Sequence, residues 1–580
     1  MSLTSGLYLA YAGIRSTEQS ISVTTQNITN ANRPGYTRRT YIPDGVTTNI
    51  GTIPRNGDIY SALDKNLIRN LYEDSMVHNR NQVISENLEV YVGRLGQLGA
   101  DTSLSGGLNN LVSNLNLLAA SPENPSQKQQ IVADAAIVAD SLRQTSAYIQ
   151  DARLQADRDI GLVIDDINEL LISLDELNKR LVKTNIVDQG TLAELEDQRA
   201  GKLEELSALI DFNTFIDGQN RVNIYQKGGQ PLLTARPYLL DYSTSSNFDS
   251  SSAYPATIGP ITVNGQDITT SIRGGELSGL IEIRDGTLVE EQEKLNEIAS
   301  VLQDTMNAVL NQGASRPSRP SITSNPTVTY TGAEAFAGAG NFRIATTDVN
   351  GVVTNVTDIN IGAFATVNDV VAAINGAAGV TASINAAGQI EILATTAGEG
   401  ISFNELTSSV APAGQGLSDY FGFNDMFYGS TAENIRVSQY LIDSPNYLAL
   451  GRLSADPALA IGDLGITAGD TDIVESLANT LNTQTSFNAA GNFAAKTSSI
   501  TRYAESIISD AAIKASVALD DTEVSQAVYD QTFDFIKNQF GVNIDEETAR
   551  LLELENYFQA SATVIATLRD LFQDLIAAVR

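Results

Sequence analysis

The last forty residues read GVNIDEETARLLELENYFQASATVIATLRDLFQDLIAAVR (541–580). Starting at Leu551, every third or fourth position gives Leu554, Phe558, Ser561, Ile565, Leu568, Phe572, Leu575 and Val579. Alternating steps of three and four are the spacing of a coiled-coil seam. Only Ser561 interrupts the apolar run. Free chain ends normally fray, so a seam that reaches the penultimate residue needs a cover. Docking of this helix on its own domain is the simpler alternative.

Working outward, the other end of the chain carries a matching pattern. Leu3, Leu7, Ala10, Ile14, Thr17, Ile21, Thr24 and Ile28 recur on the same spacing, with small or hydroxyl residues at alternate layers. The charges are opposite in sign. Residues 1–40 carry Arg15, Arg33, Arg38 and Arg39 against Glu18, so 4 − 1 = +3; residues 541–580 carry seven acids and three arginines, so 3 − 7 = −4. The two ends are therefore expected to pair. The assembly interface would be Leu7, Ile14, Ile21 and Ile28 with Leu551, Leu554, Phe558, Ile565, Leu568, Phe572 and Leu575. Its outer face would meet identical neighbours, because an uncovered seam of roughly 40–60 Å would aggregate in a monomer.

The 580 residues carry a formal charge of −33, which repels nucleic acid and anionic membrane surfaces. Cysteine is absent and His78 is the only histidine, so disulfides and the usual zinc sites are ruled out. No stretch approaches the roughly 20 apolar residues of a membrane span. Ala10-Tyr11-Ala12 imitates a signal-peptide cleavage site, but no basic leader precedes it and the helical seam runs through it. The N-terminus is read as retained structure.

Between the ends, residues 40–60 read as extended and turn-rich, and 61–98 as helix with His78 on a solvated face. Leu104–Leu118 reads as a short apolar helix. The stripe Ile131, Ala135, Val138, Leu142, Thr145, Ile149, Ala152, Ala156, Ile160, Val163, Ile167, Leu170, Leu174, Leu177 and Leu181 predicts one long helix with a stutter at Ala152-Ala156-Ile160. A helix at 191–209 follows, its Glu and Lys or Arg residues on a solvated face. Short strands with Gly and Asn turns occupy 211–272. GGELSGLIEIRDGTL (274–288) leads into a helix bearing Leu288, Leu295, Ile298, Leu302, Met306 and Val309; its glycines lack the Gly-Lys-Ser/Thr ending of a phosphate loop. Residues 313–327, rich in Pro, Ser and Asn, read as a linker into a charge-poor unit, 328–427. There Thr366 and Asp369 would form a capping box. Helix returns at 471–481 and 498–540, the latter with an imperfect stripe through Ile500, Ala504, Ile507, Ala511, Ile513 or Lys514, Val517, Val524, Val528 and Phe535. Gly541 breaks the chain, and Asn543 caps the last helix, with Glu546 at the third position.

Several of these runs resemble one family. NITNANRPGYTR (27–38), an Asn-rich helix end followed by Gly-Tyr and a basic residue, is similar to the N-terminal signature of bacterial flagellar axial proteins. GVNIDEETARLLELENYFQASATVIATLRDLF (541–572) resembles their C-terminal signature. LAELEDQRAGKLEELSALI (192–210), the Gly-Gly-Glu-Leu run at 274–277 and FGFNDMF (421–427) are similar to the flagellar hook-associated protein 1 family. The signature residues are Asn27, Asn30, Asn32, Gly35, Tyr36, Gly541 and Asn543. The unit at 328–427 resembles the small β-rich insertion of flagellin and hook-cap proteins.

The resemblance implies a structural subunit that joins flagellar hook to filament. It implies copies of itself in a ring as partners, with the hook protein, a second junction protein or flagellin as neighbours, and an export chaperone. It further implies an extracellular location, reached without a cleaved signal peptide. Other axial subunits (flagellin, hook or distal-rod protein) and a secreted enzyme or adhesin on a coiled-coil stalk are the rival readings. No catalytic, cofactor or metal residues are expected. One histidine cannot build a HExxH helix, no nucleophile elbow accompanies it, and no EF-hand loop occurs.

The fold class expected is multidomain α+β. It comprises a terminal α-helical coiled coil (1–50 plus 541–580) and a long-helix bundle core with short β segments (51–210 plus 470–540). A mixed β/α domain (211–320 plus 428–469) and an outward β-rich insert (321–427) complete it.

Overall fold

Residues 3–31, 36–48, 51–61, 65–96, 103–184 and 189–579 are described in the computed structural model of the chain. Helix α1 (Leu3–Asn30) is followed by an antiparallel hairpin of β1 (Arg39–Thr48) and β2 (Gly51–Ser61) that packs on it. The hairpin register shifts between Ile42 and Asp44, at Pro43, which has no N–H to give the ladder. Then come α2 (Lys65–Leu95), α3 (Leu104–Ala119), α4 (Pro125–Lys183) and α5 (Gln189–Leu209).

Helix α4 runs for 59 residues behind an Asn124 cap with Pro125 in its first turn. Of the predicted stripe, only Thr145 and Ala152 are less than fully buried. The stutter coincides with a polar inlay. Arg153 donates through Nε to the Arg284 carbonyl at 2.8 Å and through Nη1 to Gln150 at 2.9 Å. Asp157 pairs with Arg284 at 2.9 Å, both side chains fully buried. Where the apolar period slips, charged side chains are sealed in as mutually satisfied pairs.

The sheet of β3 (Phe212–Ile216), β4 (Val222–Gln226) and β5 (Pro231–Leu233) lies against α4, tied by Asn178, which exchanges two 2.9 Å hydrogen bonds with the Val222 backbone. Helix α6 (Glu276–Glu282) passes through a π-helical turn (Ile283–Thr287) into α7 (Leu288–Leu310). That turn presents Arg284 to Asp157.

The insert has its own apolar core, including Phe342, Ile392, Phe403 and Phe421. One three-stranded antiparallel sheet places 341–347 between 353–360 and 400–404; another places 390–394 between 380–384 and 321–323. Helix α8 (Val367–Asn375) carries the predicted Thr366–Asp369 capping box. Residues 313–327 are not a linker. Ser321–Thr323 is a sheet strand, and Arg319, 4% exposed, donates to the carbonyl of Phe423 and stacks 3.9 Å from the Tyr440 ring. A buried guanidinium that welds two segments is invisible in a composition count of Pro and Ser. After α9 (Leu417–Phe421), Phe423 still belongs to the insert core, but Met426 and Phe427 belong to the main one. The joint lies inside the FGFNDMF run.

The return path is α10 (Gln439–Asp443), α11 (Asp472–Asn482), α12 (Ile500–Phe540) and α13 (Ile544–Val579). Helices α2 and α12 lie antiparallel. Asn81 contacts Ser525 and Asp74 accepts from Thr532, so opposed residue numbers sum to 606 in both pairs. Ala504, Ala511, Ala518 and Ser525 are buried at seven-residue intervals; small side chains let two backbones approach closely.

Two expectations fail here. His78 is half-buried between these helices, its ring 6.4 Å from Tyr529 and its Nδ1 buried, because its heptad position faces α12. Val517, Val524, Val528 and Phe535 are exposed, because the Ala/Ser row takes the contact instead.

Candidate functional site

Helices α1 and α13 pair antiparallel, and the register is constant along their length. A Cβ on Gly6 would lie 3.5 Å from Leu568, and one on Gly13 would lie 3.9 Å from Ser561 Oγ. Asn27 Nδ2 donates to Glu547 at 2.9 Å. The three pairs sum to the same number: 6 + 568 = 13 + 561 = 27 + 547 = 574.

The contact column on α1 is thus Gly6, Gly13, Ser20 and Asn27, one residue before each of Leu7, Ile14, Ile21 and Ile28. Reading only for apolar residues misses it. Its signal was the seven-residue recurrence of small side chains, which let Leu568 and its neighbours seat against backbone.

The expected interface residues are brought together along this seam. Leu7, Ile14, Ile21 and Ile28 are half-buried, as are Leu551, Leu554, Phe558, Ile565, Leu568 and Phe572. Leu575 is 53% exposed. The register explains it: 574 − 3 = 571, so α13 outruns the described part of α1 beyond that point. Outside the seam, Tyr8 (63%), Leu552 (58%) and Tyr557 (56%) face solvent. One helix covers one side of an apolar stripe; the remainder is uncovered.

The base of the pair is a polar node built on two of the signature residues, Asn27 and Tyr36. Asn27, fully buried, donates to the Arg39 carbonyl at 2.8 Å, and its Oδ1 accepts from Arg39 N at 3.1 Å and from the Tyr36 hydroxyl at 2.9 Å. The Arg39 guanidinium lies 4.8 Å from the Tyr36 ring centroid and pairs with Asp197 of α5. Burial pushes the Tyr36 phenol upward, opposed by the Arg39 charge. Arg38 pairs with Glu547 at 2.8 Å and with Glu546 at 3.6 Å, and its backbone N donates to the Phe540 carbonyl at 2.8 Å. Asn30 donates to its own helix, at the Gln26 carbonyl (3.0 Å). Asn32 and Gly35 lie outside the described residues.

Gly541 ends α12, and a Cβ there would sit 2.1 Å from the Lys537 carbonyl oxygen. Asn543 caps α13, accepting from Asp545 N at 3.0 Å and Glu546 N at 3.4 Å. The acid that closes the node is not Glu546 but Glu547, 1% exposed. Arg199, expected on a solvated face of α5, is engaged too: it is 5% exposed and donates to the Asn220 carbonyl at 2.7 Å. The node is structural chemistry: it ties α1 and α13 to β1, to α5 and to the end of α12. Among the described residues no group of three acidic or histidine side chains is placed to hold a metal.

A family model described as the flagellar hook-associated protein FlgK helical domain matches residues 95–319. The chain is 22% identical over 581 residues to flagellar hook-associated protein 1 of Salmonella typhimurium, covering 98% of each. The Escherichia coli protein of that name is 22% identical over 588 residues, again at 98% of each.

The chain is similar along nearly its whole length to the flagellar hook-associated protein 1 family.

The fold agrees. The flagellar hook junction protein FlgK from Burkholderia pseudomallei superposes with a TM-score of 0.50 at 14% identity, covering 81% of this chain and 99% of that one. The family model covers α3 to α7 with the polar inlay, whereas the terminal node lies outside it and is reached only by the full-length relatives. The family-model match therefore rests on the helical body, and the terminal pair is an independent structural observation.

Proposed function

We propose that this chain is a structural subunit of the bacterial flagellum at the junction of hook and filament, assembling with copies of itself through its paired terminal helices. The observation that supports this reading is the in-register α1–α13 pair with an apolar outer face still uncovered. A ring or helical array of heterologous contacts would cover it. On this reading the residues of the seam are the assembly interface, the hook protein lies on one side, and a second junction protein or flagellin on the other. The subunit travels out of the cell through the flagellar export route with a chaperone, and its N-terminus is retained. The four-part division into terminal pair, helical core, mixed domain and insert belongs to the same reading. A structural role fits relatives that are flagellar structural proteins, and no catalytic step is assigned.

The test is removal of residues 541–580 in a cell that depends on this chain. Hooks without attached filaments are expected, while the remaining body, purified, stays folded. Normal filaments on the truncated chain would refute the reading.

A further inference from the structure

Lys128 places a cation at the positive end of a 59-residue helix. It lies in the opening turns of α4, which starts at Pro125 behind the Asn124 cap. A helix N-terminus attracts anions and repels an ammonium. The Lys128 side chain is 5% exposed, and a lysine so deeply buried is normally paired. Its ammonium has no hydrogen-bond or ion-pair partner among the described residues.

The surroundings add a second cation. Side chains on a helix lean toward its N-terminus, and the Lys128 ammonium lies in the field of Glu123, just before the cap, and of Arg316, from the segment that enters the insert. Burial lowers the pKa of Lys128; Glu123 opposes that shift and Arg316 adds to it. Glu123 does not close the site. Its carboxylate accepts from the Gly469 N–H at 3.2 Å and lies 3.7 Å from Arg316 Nη1, with half of its side chain in water.

Two further donors stand nearby. Arg316 donates through Nε to the Asn350 carbonyl at 3.1 Å, which leaves Nη2 without a partner among the described residues. In the first turn of α4, Pro125 has no N–H and the Ser126 N–H is taken by the Asn124 side chain at 3.0 Å. The Gln127 N–H has no partner among the described residues. Lys128 and Arg316 against Glu123 give 2 − 1 = +1 beside the helix end, in a chain of net charge −33. A single carboxylate offers two oxygens to these three donor groups; a tetrahedral oxyanion offers one to each.

We propose that the start of α4, with Lys128 and Arg316, is a binding site for a tetrahedral oxyanion of the phosphate class. The site lies where the helical body meets the segment entering the insert, so the bound oxyanion ties α4 to Arg316 and, through it, to the turn at Asn350. It stands apart from the assembly reading and does not depend on it.

The test uses the full-length chain at neutral pH, titrated by calorimetry with sodium phosphate against sodium chloride at matched ionic strength. One phosphate per chain should bind saturably at about millimolar concentration or below. Lys128→Met keeps the buried stem and removes the charge; Arg316→Gln removes the second cation at a partly exposed position. Each should weaken phosphate binding about tenfold or more with circular dichroism unchanged. In chloride, Lys128→Met should melt no lower than the parent, because it removes a buried cation without a partner. Glycerol 2-phosphate separates the sources: binding as tight as that of phosphate assigns the site to phosphate esters, its exclusion assigns it to the free ion, and either supports the site. Absence of saturable phosphate binding overturns the proposal. So does binding that survives either substitution, which would mark an adventitious ion only. A Lys128→Met chain that melts well below the parent in chloride would show that the ammonium is already satisfied within the fold, again overturning it. Acetate binding as tightly as phosphate would overturn the tetrahedral assignment.

Discussion

Glu547 is the residue on which the terminal helices turn. Its carboxylate accepts from Asn27 at 2.9 Å and from Arg38 at 2.8 Å, and it is itself almost fully buried. Replacing it with Ala leaves Arg38 without its nearest anion and Asn27 without one acceptor. Because Arg38 is a third exposed, water recovers part of the loss. The expected cost of Glu547→Ala is about 1–3 kcal/mol, read by chemical denaturation, with faster amide exchange at the base of α1 and α13. A variant as stable and as protected as the parent would show that the node is decorative. In the sequence, Gly541 and Asn543 stood out because Gly ends helices and Asn caps them, and Asn27 and Tyr36 because they sit in the signature run. Glu547 did not: it is one of three successive acids, and only the direction of the α13 first turn selects it.

At the scale of elements, periodicity carried most of the information. Helices α1, α2, α3, α4, α7, α12 and α13 lie where their apolar spacing predicts, and the stutter in α4 marks a real change of packing. Where the period misled, small residues were responsible. In α12 the valine positions looked like the buried stripe, but Ala511, Ala518 and Ser525 make the contact with α2. An apolar stripe predicts that a face will be covered, not that the same chain covers it. Ala518→Leu should therefore force α2 and α12 apart and cost about 1–3 kcal/mol by overpacking, whereas Val524→Leu, at a solvent-exposed position, should be neutral in thermal unfolding. Equal effects would mean the two faces have been exchanged.

For the whole molecule, the weak point of the sequence reading was the joint between insert and body. Composition suggested a linker; the structure has a joint held by amides. Asn307 accepts from Met426 N and Phe427 N at 2.9 and 3.0 Å, and Asn311 donates to Asp425 at 2.7 Å. Burial pushes the Asp425 carboxyl up to about 7, against the Asn311 and Asn325 hydrogen bonds, with Asp419 and Asp304 adding repulsion. Asp419 is pushed up to about 6, again chiefly by burial and then by Asp304. Both groups hold their protons more tightly folded than unfolded, where a carboxyl titrates near 4. Their contribution to stability is therefore full below about pH 4 and is lost as pH rises through 6 to 7. Stability measured by denaturation should fall between about pH 5 and pH 8, and Asp419→Asn should flatten that slope. A slope unchanged by the substitution would place the titration elsewhere.

The unvarying sum of 574 along the terminal helices makes them behave as a ruler pinned at one end by Asn27 and Glu547. A heptad added to α1 alone would leave its new turns facing only the overhang of α13, but one added to both would keep every layer opposite its mate. Such a matched pair of insertions would lengthen the arm by about 10 Å without disturbing the body, so arm length and body architecture are free to diverge independently among relatives.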